Sequence, residues 1–268
     1  MAHPQIAAFA RLADGGAKAK RKIEGQTTLL GRTMHSIVYD AIHDEFVVPQ
    51  QFGQAILTFR GAANGEEAPI RVIQGSNTQL RDPDRLDVDP VNNEIFVPHG
   101  DAVLVFPRAA SGNVAPIRVL KGPDERFGAG ALVVDPVHNL LIVAASDSRD
   151  AFRLMIFDRT AEGNAKPKAV IGGPNSRLTR LGGPFAVYPP TGKLIVSIRG
   201  PSFSSPESFV GVWSIHDNGD VPPHWIIGGP DGILRQPRGV ALDPKNKSMI
   251  VSDKYLNAVL TFQFPEIF

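Results

Sequence analysis

The sequence PIRVIQG at residues 69–75 returns as PIRVLKG at 116–122 and as PHWIIGG at 223–229. Each copy is short, rich in apolar residues and ends at a glycine, which is typical of a strand that stops at a turn. A proline at the start of the strand fits an edge position, where a missing N–H is tolerated. The recurrence therefore predicts a repeated β-structural unit.

The repeat also contains an aromatic residue, a glycine six positions later and a second glycine ten positions beyond that. The aromatic residues end short apolar runs such as AILTF at 55–59, and the first glycine follows turn formers such as Asn64. Each copy thus predicts a β-hairpin. Five copies keep both spacings: Phe9–Gly15–Gly25, Phe59–Gly65–Gly75, Phe106–Gly112–Gly122, Phe157–Gly163–Gly173 and Trp213–Gly219–Gly229.

A second hairpin lies between these hairpins. Its first strand ends at an Asp-Pro pair, as in LDVDP at 86–90, LVVDP at 132–136 and VALDP at 240–244, or at a variant of that pair. Its second strand resembles EIFVP at 94–98. Corresponding positions recur every 46 to 55 residues, and no stretch shows a helical period. Four-stranded units at this spacing predict a β-propeller.

We name the strands of a unit A (ending in the Asp-Pro pair), B, C (ending in the aromatic residue) and D (the PIRVIQG type). The sequence holds five A, B and D strands and six C strands. It predicts an all-β fold in a single domain, 1–268: a five-bladed β-propeller of four-stranded antiparallel blades. The alternative is a six-bladed propeller cut short. The predicted repeats are approximately 1–54, 55–102, 103–153, 154–209 and 210–268.

Ring closure is expected to pair residues 20–25 with the C-terminal strand. One C strand, either 6–10 or 258–264, is then surplus. It would either add a fifth strand to the closing blade or pair with another molecule.

The repeat resembles the bacterial variety of the NHL propeller repeat, GN-x-APIRVI-x-G followed by a Gly-Val-Ala-x-Asp-Pro segment. Gly112–Gly122 and Leu234–Pro244 carry the likeness, and the Gly-Val-Ala-x-Asp signature is intact only at Gly239–Asp243. The resemblance covers nearly the whole chain. It implies a propeller that binds on the face bearing the D–A and B–C loops. It implies no single function, because relatives include protein scaffolds, RNA binders, lyases and lactonase-like hydrolases.

Composition excludes several classes of protein. The 268 residues carry 28 Lys or Arg and 27 Asp or Glu, so the net charge of +1 excludes unspecific coating of nucleic acid. The hydrophobic fraction of 43% excludes disorder, and the absence of Cys excludes disulfides and thiolate metal sites. We expect a soluble chain without a membrane span, and no secretory signal is visible. The sequence does not determine the cellular compartment, since proteins with related repeats are often exported.

Arginine recurs in the D–A loops, five residues before the A strand. Four of five copies have it, and Arg85 and Arg238 lie where A strands begin. Together they would form a cationic ring for a small anionic ligand or an acidic protein surface. Alternatively, each arginine pairs with a neighbouring Asp and serves packing. The four loop positions are Arg32, Arg81, Arg180 and Arg235, and the candidate Asp partners are Asp82, Asp84, Asp124, Asp147 and Asp253.

The B–C loops differ most between copies, as functional loops tend to. The longest, SIRGPSFSSPESF at 197–209, carries Arg199 and is predicted to be a lid or contact loop; the alternative is a tolerated insertion. The short loop PHGDA contributes His99 and Asp101, and His35 lies near the same predicted face.

The seven His residues show no metal-ligand spacing such as H-x-H or HExxH. His43 and His138 occupy A–B turns and are best explained as turn residues. Lactonase-like relatives hold a divalent metal with Glu, Asn and Asp, a set that this sequence does not match. No nucleophile elbow, P-loop or dinucleotide fingerprint is present, so we expect no metal and no cofactor.

The sequence therefore predicts a non-catalytic binding scaffold that presents loops to a protein or a small anionic ligand. The first alternative is a lyase or hydrolase at the channel mouth that uses Arg85, His35 or His99. The second is a structural or assembly subunit that oligomerises through the surplus C strand. We expect no nucleic-acid partner, because the Tyr and Trp residues lie mostly in predicted strands.

Overall fold

A computed structural model of the chain describes residues 4–32, 34–122, 127–146 and 152–268. The fold is all-β, and antiparallel blades form a five-bladed β-propeller, which confirms the predicted fold class. No helix in these residues is long and apolar enough to cross a membrane. Helical structure in the described ranges is limited to five short 3-10 turns: Gln26–Thr28, Ser76–Thr78, Pro189–Thr191, Pro244–Asn246 and Pro265–Ile267.

The blades follow one another along the chain, each built from consecutive strands. Blade 1 contains β3 (Val38–Asp40), β4 (Glu45–Gln50), β5 (Ala55–Arg60) and β6 (Arg71–Gln74). Blade 2 contains β7 (Asp87–Asp89), β8 (Glu94–His99), β9 (Ala102–Pro107) and β10 (Arg118–Leu120). Blade 3 contains β11 (Ala129–Asp135), β12 (Leu140–Ser146), β13 (Phe152–Asp158) and β14 (Ala169–Ile171).

Blade 4 has an A strand in two pieces, because Gly182, Gly183 and Pro184 interrupt it. Its strands are β15 (Arg180–Leu181), β16 (Ala186–Tyr188), β17 (Lys193–Arg199), β18 (Phe209–Ser214) and β19 (Trp225–Gly228). Blade 5 consists of β20 (Pro237–Asp243), β21 (Ser248–Asp253) and β22 (Ala258–Gln263).

The N-terminal strand has a different partner from the one expected. β2 (Arg21–Glu24) pairs with β1 (Gln5–Ala8) in a two-stranded sheet, with Ile23 opposite Ile6. The expected pairing was between residues 20–25 and the C-terminal strand. The two paired segments are close in sequence, so a hairpin costs less loop-closure entropy than a pairing across the whole chain. Both candidate surplus C segments therefore contain a strand, β1 and β22.

The chain divides into two compact units. Unit 1 comprises Met1–Ile95 and Val105–Ile117, and unit 2 comprises Phe96–Leu104 and Arg118–Phe268. Each unit buries aromatic residues of the repeat. In unit 1 Phe59 stacks on Phe46 at 5.1 Å between ring centroids, and in unit 2 Phe157 meets Phe127 edge-on at 5.8 Å. The repeat boundaries predicted from the sequence stay a prediction.

The first glycine of the repeat joins adjacent copies. In unit 1 the Gly65 N–H donates to Lys22 O at 2.6 Å, and Glu24 N–H donates to Gly65 O at 3.1 Å. Gly219 makes the same two bonds with Val170 and Gly172 in unit 2. These glycines have φ of 68° and 84°, a region that favours glycine. The most regular feature of the sequence therefore holds the fold together.

Candidate functional site

Two of the predicted arginines are neighbours in unit 2. β15 pairs with β17 so that Arg180 lies directly opposite Arg199. Opposed side chains on antiparallel strands have Cβ atoms roughly 5 Å apart. Arg180 Nη1 donates to Pro201 O at 2.7 Å, and Arg199 Nε donates to Leu181 O at 3.0 Å. The two guanidinium groups therefore anchor the start of the longest B–C loop.

The same loop, 200–208, is held by its own serines. Gly200 N–H donates to Ser208 Oγ at 3.0 Å, and Ser208 Oγ donates to Arg235 O at 2.7 Å. Glu207 N–H donates to Ser205 Oγ at 3.2 Å, and both serines are buried. The bonds tie the two ends of the loop together and attach it to the D–A loop before blade 5.

A buried carboxylate fixes the B–C loop of blade 5. Asp253 is 2% exposed. Its Oδ2 accepts from the N–H groups of Arg235 and Gln236 at 2.8 and 2.9 Å, and its Oδ1 accepts from those of Tyr255 and Leu256 at 3.0 and 3.1 Å. Hydrogen bonds to an ionised carboxylate are among the stronger ones in proteins. Asp253 was a candidate ion-pair partner in the sequence, whereas its observed partners are backbone N–H groups.

The two anchored loops carry exposed aromatic rings that touch each other. Phe203 is 54% exposed and Tyr255 is 49% exposed. Their rings meet edge-on with centroids 5.8 Å apart, and Lys254 Nζ lies 5.8 Å from the Phe203 centroid. We call Phe203, Lys254 and Tyr255 the aromatic patch. It combines apolar area with a positive charge at the end of two hydrogen-bonded loops.

The loops around the aromatic patch are basic. The segments 172–184, 199–208, 229–238 and 252–257 contain six Lys or Arg residues and three Asp or Glu residues. One of the three acids is Asp253, whose carboxylate already accepts four N–H groups. These loops therefore carry an excess of positive charge.

The other predicted arginines have separate surroundings. Arg235 Nη1 donates to Gly232 O at 2.6 Å and to Leu234 O at 2.9 Å, so its guanidinium stabilises its own loop. Arg238 lies in an irregularity of β20, where the register shifts between Pro237 and Gly239. In unit 1, Arg32 and Arg81 are exposed. Assembly of these residues into a cationic ring stays a prediction.

In unit 1 the structure brings His35 and Arg85 to one carboxylate. His35 Nδ1 contacts Asp84 Oδ1, and Arg85 Nη1 lies 3.5 Å from Asp84 Oδ2. The His35 side chain is exposed, and the Arg85 and Asp84 side chains are half-buried. A carboxylate that orients an imidazole is an arrangement found in acid–base catalysis.

His99 and Asp101 flank Gly100 in the B–C loop of blade 2. His99 ends β8 and is half-buried, whereas Asp101 is exposed. The N–H of Ala129 donates to Gly100 O at 2.6 Å, which attaches this loop to the start of β11 within unit 2. Their predicted role in ligand binding stays untested.

The turn histidines have structural partners. His43 Nδ1 lies 2.7 Å from Asp40 Oδ2, and His138 Nδ1 lies 2.7 Å from Asp135 Oδ2. Both Asp side chains are fully buried. Across the described ranges, no group of three or more His, Asp or Glu residues is arranged to hold a metal ion.

Sequence reasoning missed the aromatic patch. It selected the loop at 197–209 for its length and for Arg199, and it did not single out Phe203 or Tyr255. A usable signal was present, because both residues are aromatic and lie in B–C loops, outside the predicted strands. Phe52 has the same placement in blade 1 and is also exposed.

Comparison with known proteins identifies the fold of the chain and no family. No family model matches it, and no curated protein matches it. It is similar to hydrazine synthase of Kuenenia stuttgartiensis, with 13% identity and a TM-score of 0.56 over 91% of this chain and 58% of that chain. It is also similar to the Cps50 (Swd1) β-propeller domain of Myceliophteria thermophila, with 10% identity and a TM-score of 0.53 over 84% and 63%. The chain thus covers less than two thirds of either neighbour, and the shared feature is the β-propeller fold.

Proposed function

We propose that the chain is a non-catalytic binding module that presents the loops of unit 2 to a protein partner. One observation carries the proposal: Phe203 and Tyr255 expose about half of their surface while they contact each other. Large aromatic rings bury much apolar area when a partner covers them, and such residues dominate protein interfaces. The NHL-type pattern of the repeat, whose relatives include protein scaffolds, supports the same proposal.

Rigidity of the loops strengthens this interpretation. Asp253 and Ser208 hold the backbone on either side of the aromatic patch through hydrogen bonds to neighbouring loops. A loop that is ordered before binding loses less conformational entropy when the partner arrives. The patch is therefore suited to act as a preformed anchor.

The surrounding charge specifies the partner further. Six basic against three acidic residues in the nearby loops favour an acidic segment. The aromatic rings favour apolar side chains within that segment. The proposed partner is thus a protein segment that alternates carboxylates with apolar residues.

The proposal is tested by peptide selection against the whole chain. A random peptide library is panned on the wild-type protein, and affinities of the enriched peptides are measured by fluorescence anisotropy. We expect acidic peptides with apolar residues, and a loss of affinity of roughly tenfold or more for Phe203→Ala and Tyr255→Ala. Phe9→Ala, which removes another exposed ring, is the matched control and should leave the affinity unchanged.

Stability measurements separate binding from folding in the same variants. Because the ring is exposed, Phe203→Ala should change the free energy of unfolding by no more than about 0.5 kcal/mol. Selected peptides that bind both ring variants as tightly as wild type would overturn the proposal. So would a set of enriched peptides that are predominantly basic.

A second candidate function is acid–base catalysis in unit 1, which the contact of His35 with Asp84 favours. Here His35 would move a proton, Asp84 would orient its ring and Arg85 would stabilise negative charge. Hydrolysis of a panel of esters and lactones tests it. Turnover that falls in His35→Gln and Asp84→Asn, but not in Arg81→Gln, would support it; turnover that is absent or unaffected would exclude it.

A further inference from the structure

A cleft of about 520 Å³ opens in blade 3, entirely within unit 2. It is lined by Phe152 and Arg153 at the start of β13, by Val170 and Gly172 at the end of the D strand, and by the following loop as far as Thr179. Its volume lies in the range of small-molecule sites, which is roughly 300–1,000 Å³.

At this cleft blade 3 lacks a side chain that blade 1 has. Gly172 stands where blade 1 has Gln74, directly before the last glycine of the repeat. In blade 1 the Gln74 side chain crosses to the B–C loop and donates from Nε2 to Gly53 O at 2.7 Å. A Cβ at Gly172 would lie 3.0 Å from the Arg153 Cβ. A side chain at position 172 would therefore crowd Arg153 at the wall of the cleft.

Arg177 lies in the loop that follows the D strand. It occupies the left-handed position of this loop with φ of 56°, where blade 1 has Gln79 at 61° and the N-terminal copy has Leu29 at 58°. At the same position of the repeat the sequence has Arg126 in blade 2 and Ile233 in blade 4. The loop is shaped by Ser176, whose Oγ donates to Gly173 O at 2.6 Å, as the Thr78 hydroxyl does in blade 1. The loop conformation therefore does not require an arginine.

The Arg177 side chain is held in place by an aromatic ring. Its guanidinium carbon lies 4.6 Å from the centroid of Phe209. Within the described part of the chain, the guanidinium makes no hydrogen bond and no ion pair. When a guanidinium stacks on an aromatic ring, its N–H groups point outward in the plane of the guanidinium, where they can donate to an oxyanion.

Arg153 is a departure from the repeat in blade 3. Its position at the start of the C strand is Ala55 in blade 1, Ala102 in blade 2 and Ala258 in blade 5. The lining thus combines Arg153 and Arg177 with apolar contributions from Phe152, Val170 and Leu178.

We propose that this cleft binds a small organic anion, a carboxylate or a phosphate carried on an apolar body. Arginine suits both groups because its planar donors match two oxygens at once. The apolar wall would receive the body of the ligand. The site shares no residue with the aromatic patch and goes beyond the proposed protein-binding function.

Titration of the whole chain with benzoate and phenyl phosphate tests the proposal, with binding followed by calorimetry and NMR. Arg177→Gln installs the residue that blade 1 has at the same left-handed position, so the loop should keep its fold. We expect millimolar or tighter binding to wild type and a loss of roughly tenfold or more in Arg177→Gln. Gly172→Gln should abolish binding by filling the cleft. Lys166→Gln, which removes an exposed charge from the C–D turn of the same blade, should leave the affinity unchanged.

Three outcomes would overturn the proposal: no binding of either anion at about 10 mM, equal affinities for Arg177→Gln and Lys166→Gln, or binding of neutral phenol as tight as that of the anions. Comparison of the two probes distinguishes the sources of the anionic group. Tighter binding of phenyl phosphate indicates a phosphate ester, and tighter binding of benzoate indicates a carboxylate.

Discussion

The two ends of a blade differ in how closely the copies repeat one another. At the end that carries the A–B turns, Asp135 accepts from the N–H groups of Val137 and His138. Asp89 makes the equivalent bonds in blade 2. At the end that carries the B–C and D–A loops, some contacts differ from blade to blade, such as those of Asp253 in blade 5 and of Ser208 in blade 4.

This difference indicates where function lies. A contact that recurs in several blades serves the fold, since every blade must make the same turn. A residue in a loop that differs between copies, such as Phe203, is under no such requirement. The internal repeat thus provides a reference within one chain, against which the loop end stands out.

The largest effect is expected at Asp253, where a loop-end contact also stabilises the fold. Asp253→Ala leaves four backbone N–H groups without their carboxylate partner. Loss of buried bonds to a charged group should lower the free energy of unfolding by roughly 3 kcal/mol or more. It should also weaken peptide binding, because Tyr255 loses its support. Urea denaturation and fluorescence anisotropy measure the two effects.

Asp231→Ala is the matched control for this change. It removes the same charge from an exposed position in the D–A loop before blade 5. Its unfolding free energy should stay within about 0.5 kcal/mol of wild type. If Asp253→Ala were as stable as Asp231→Ala, the buried carboxylate would not be the anchor that the structure indicates.

A smaller effect, confined to folding, is expected at the turn end. Asp135→Ala removes two backbone bonds and the contact with His138. The expected loss is roughly 2 kcal/mol in the free energy of unfolding. Peptide and anion affinities should not change in the folded protein. An Asp135→Ala protein that folds but loses either ligand would contradict the division between the two ends.

Much of the fold was predictable because its determinants are local and repeated. Gly65 and Gly112 occupy turns that need left-handed backbone, and Asp89 caps its own turn, so spacing alone reveals them. The partner of β2 was not predictable in the same way. Two segments of the C type, β1 and β22, are candidates to pair with β2. The sequence does not show whether β2 pairs with the nearby segment or with the distant one.

The candidate site was predictable only in part. Arg180 and Arg199 were identified from loop position, but their direct opposition depends on the register of β15 with β17. The contact of Phe203 with Tyr255 joins residues from different blades, and no sequence period connects them. The cleft was missed because its lining residues come from separate stretches of blade 3, whereas motif searches look for residues at a fixed spacing.

The smallest effect is expected where a carboxylate is held at the surface instead of in the interior. Arg60 donates from Nε and Nη2 to the two oxygens of Glu67 at 2.8 and 2.9 Å, and this pairing lowers the pKa of Glu67. A lowered pKa in the folded state stabilises the protein above the unfolded value, about 4.3 for Glu, and this contribution is lost as the pH falls through the folded pKa. Glu67→Gln should therefore melt slightly below wild type at neutral pH, and the two melting temperatures should converge in acid. Melting curves recorded at several pH values, with Glu162→Gln as the control, measure this. A gap that does not depend on pH would show that Glu67 acts through its shape and not through its charge.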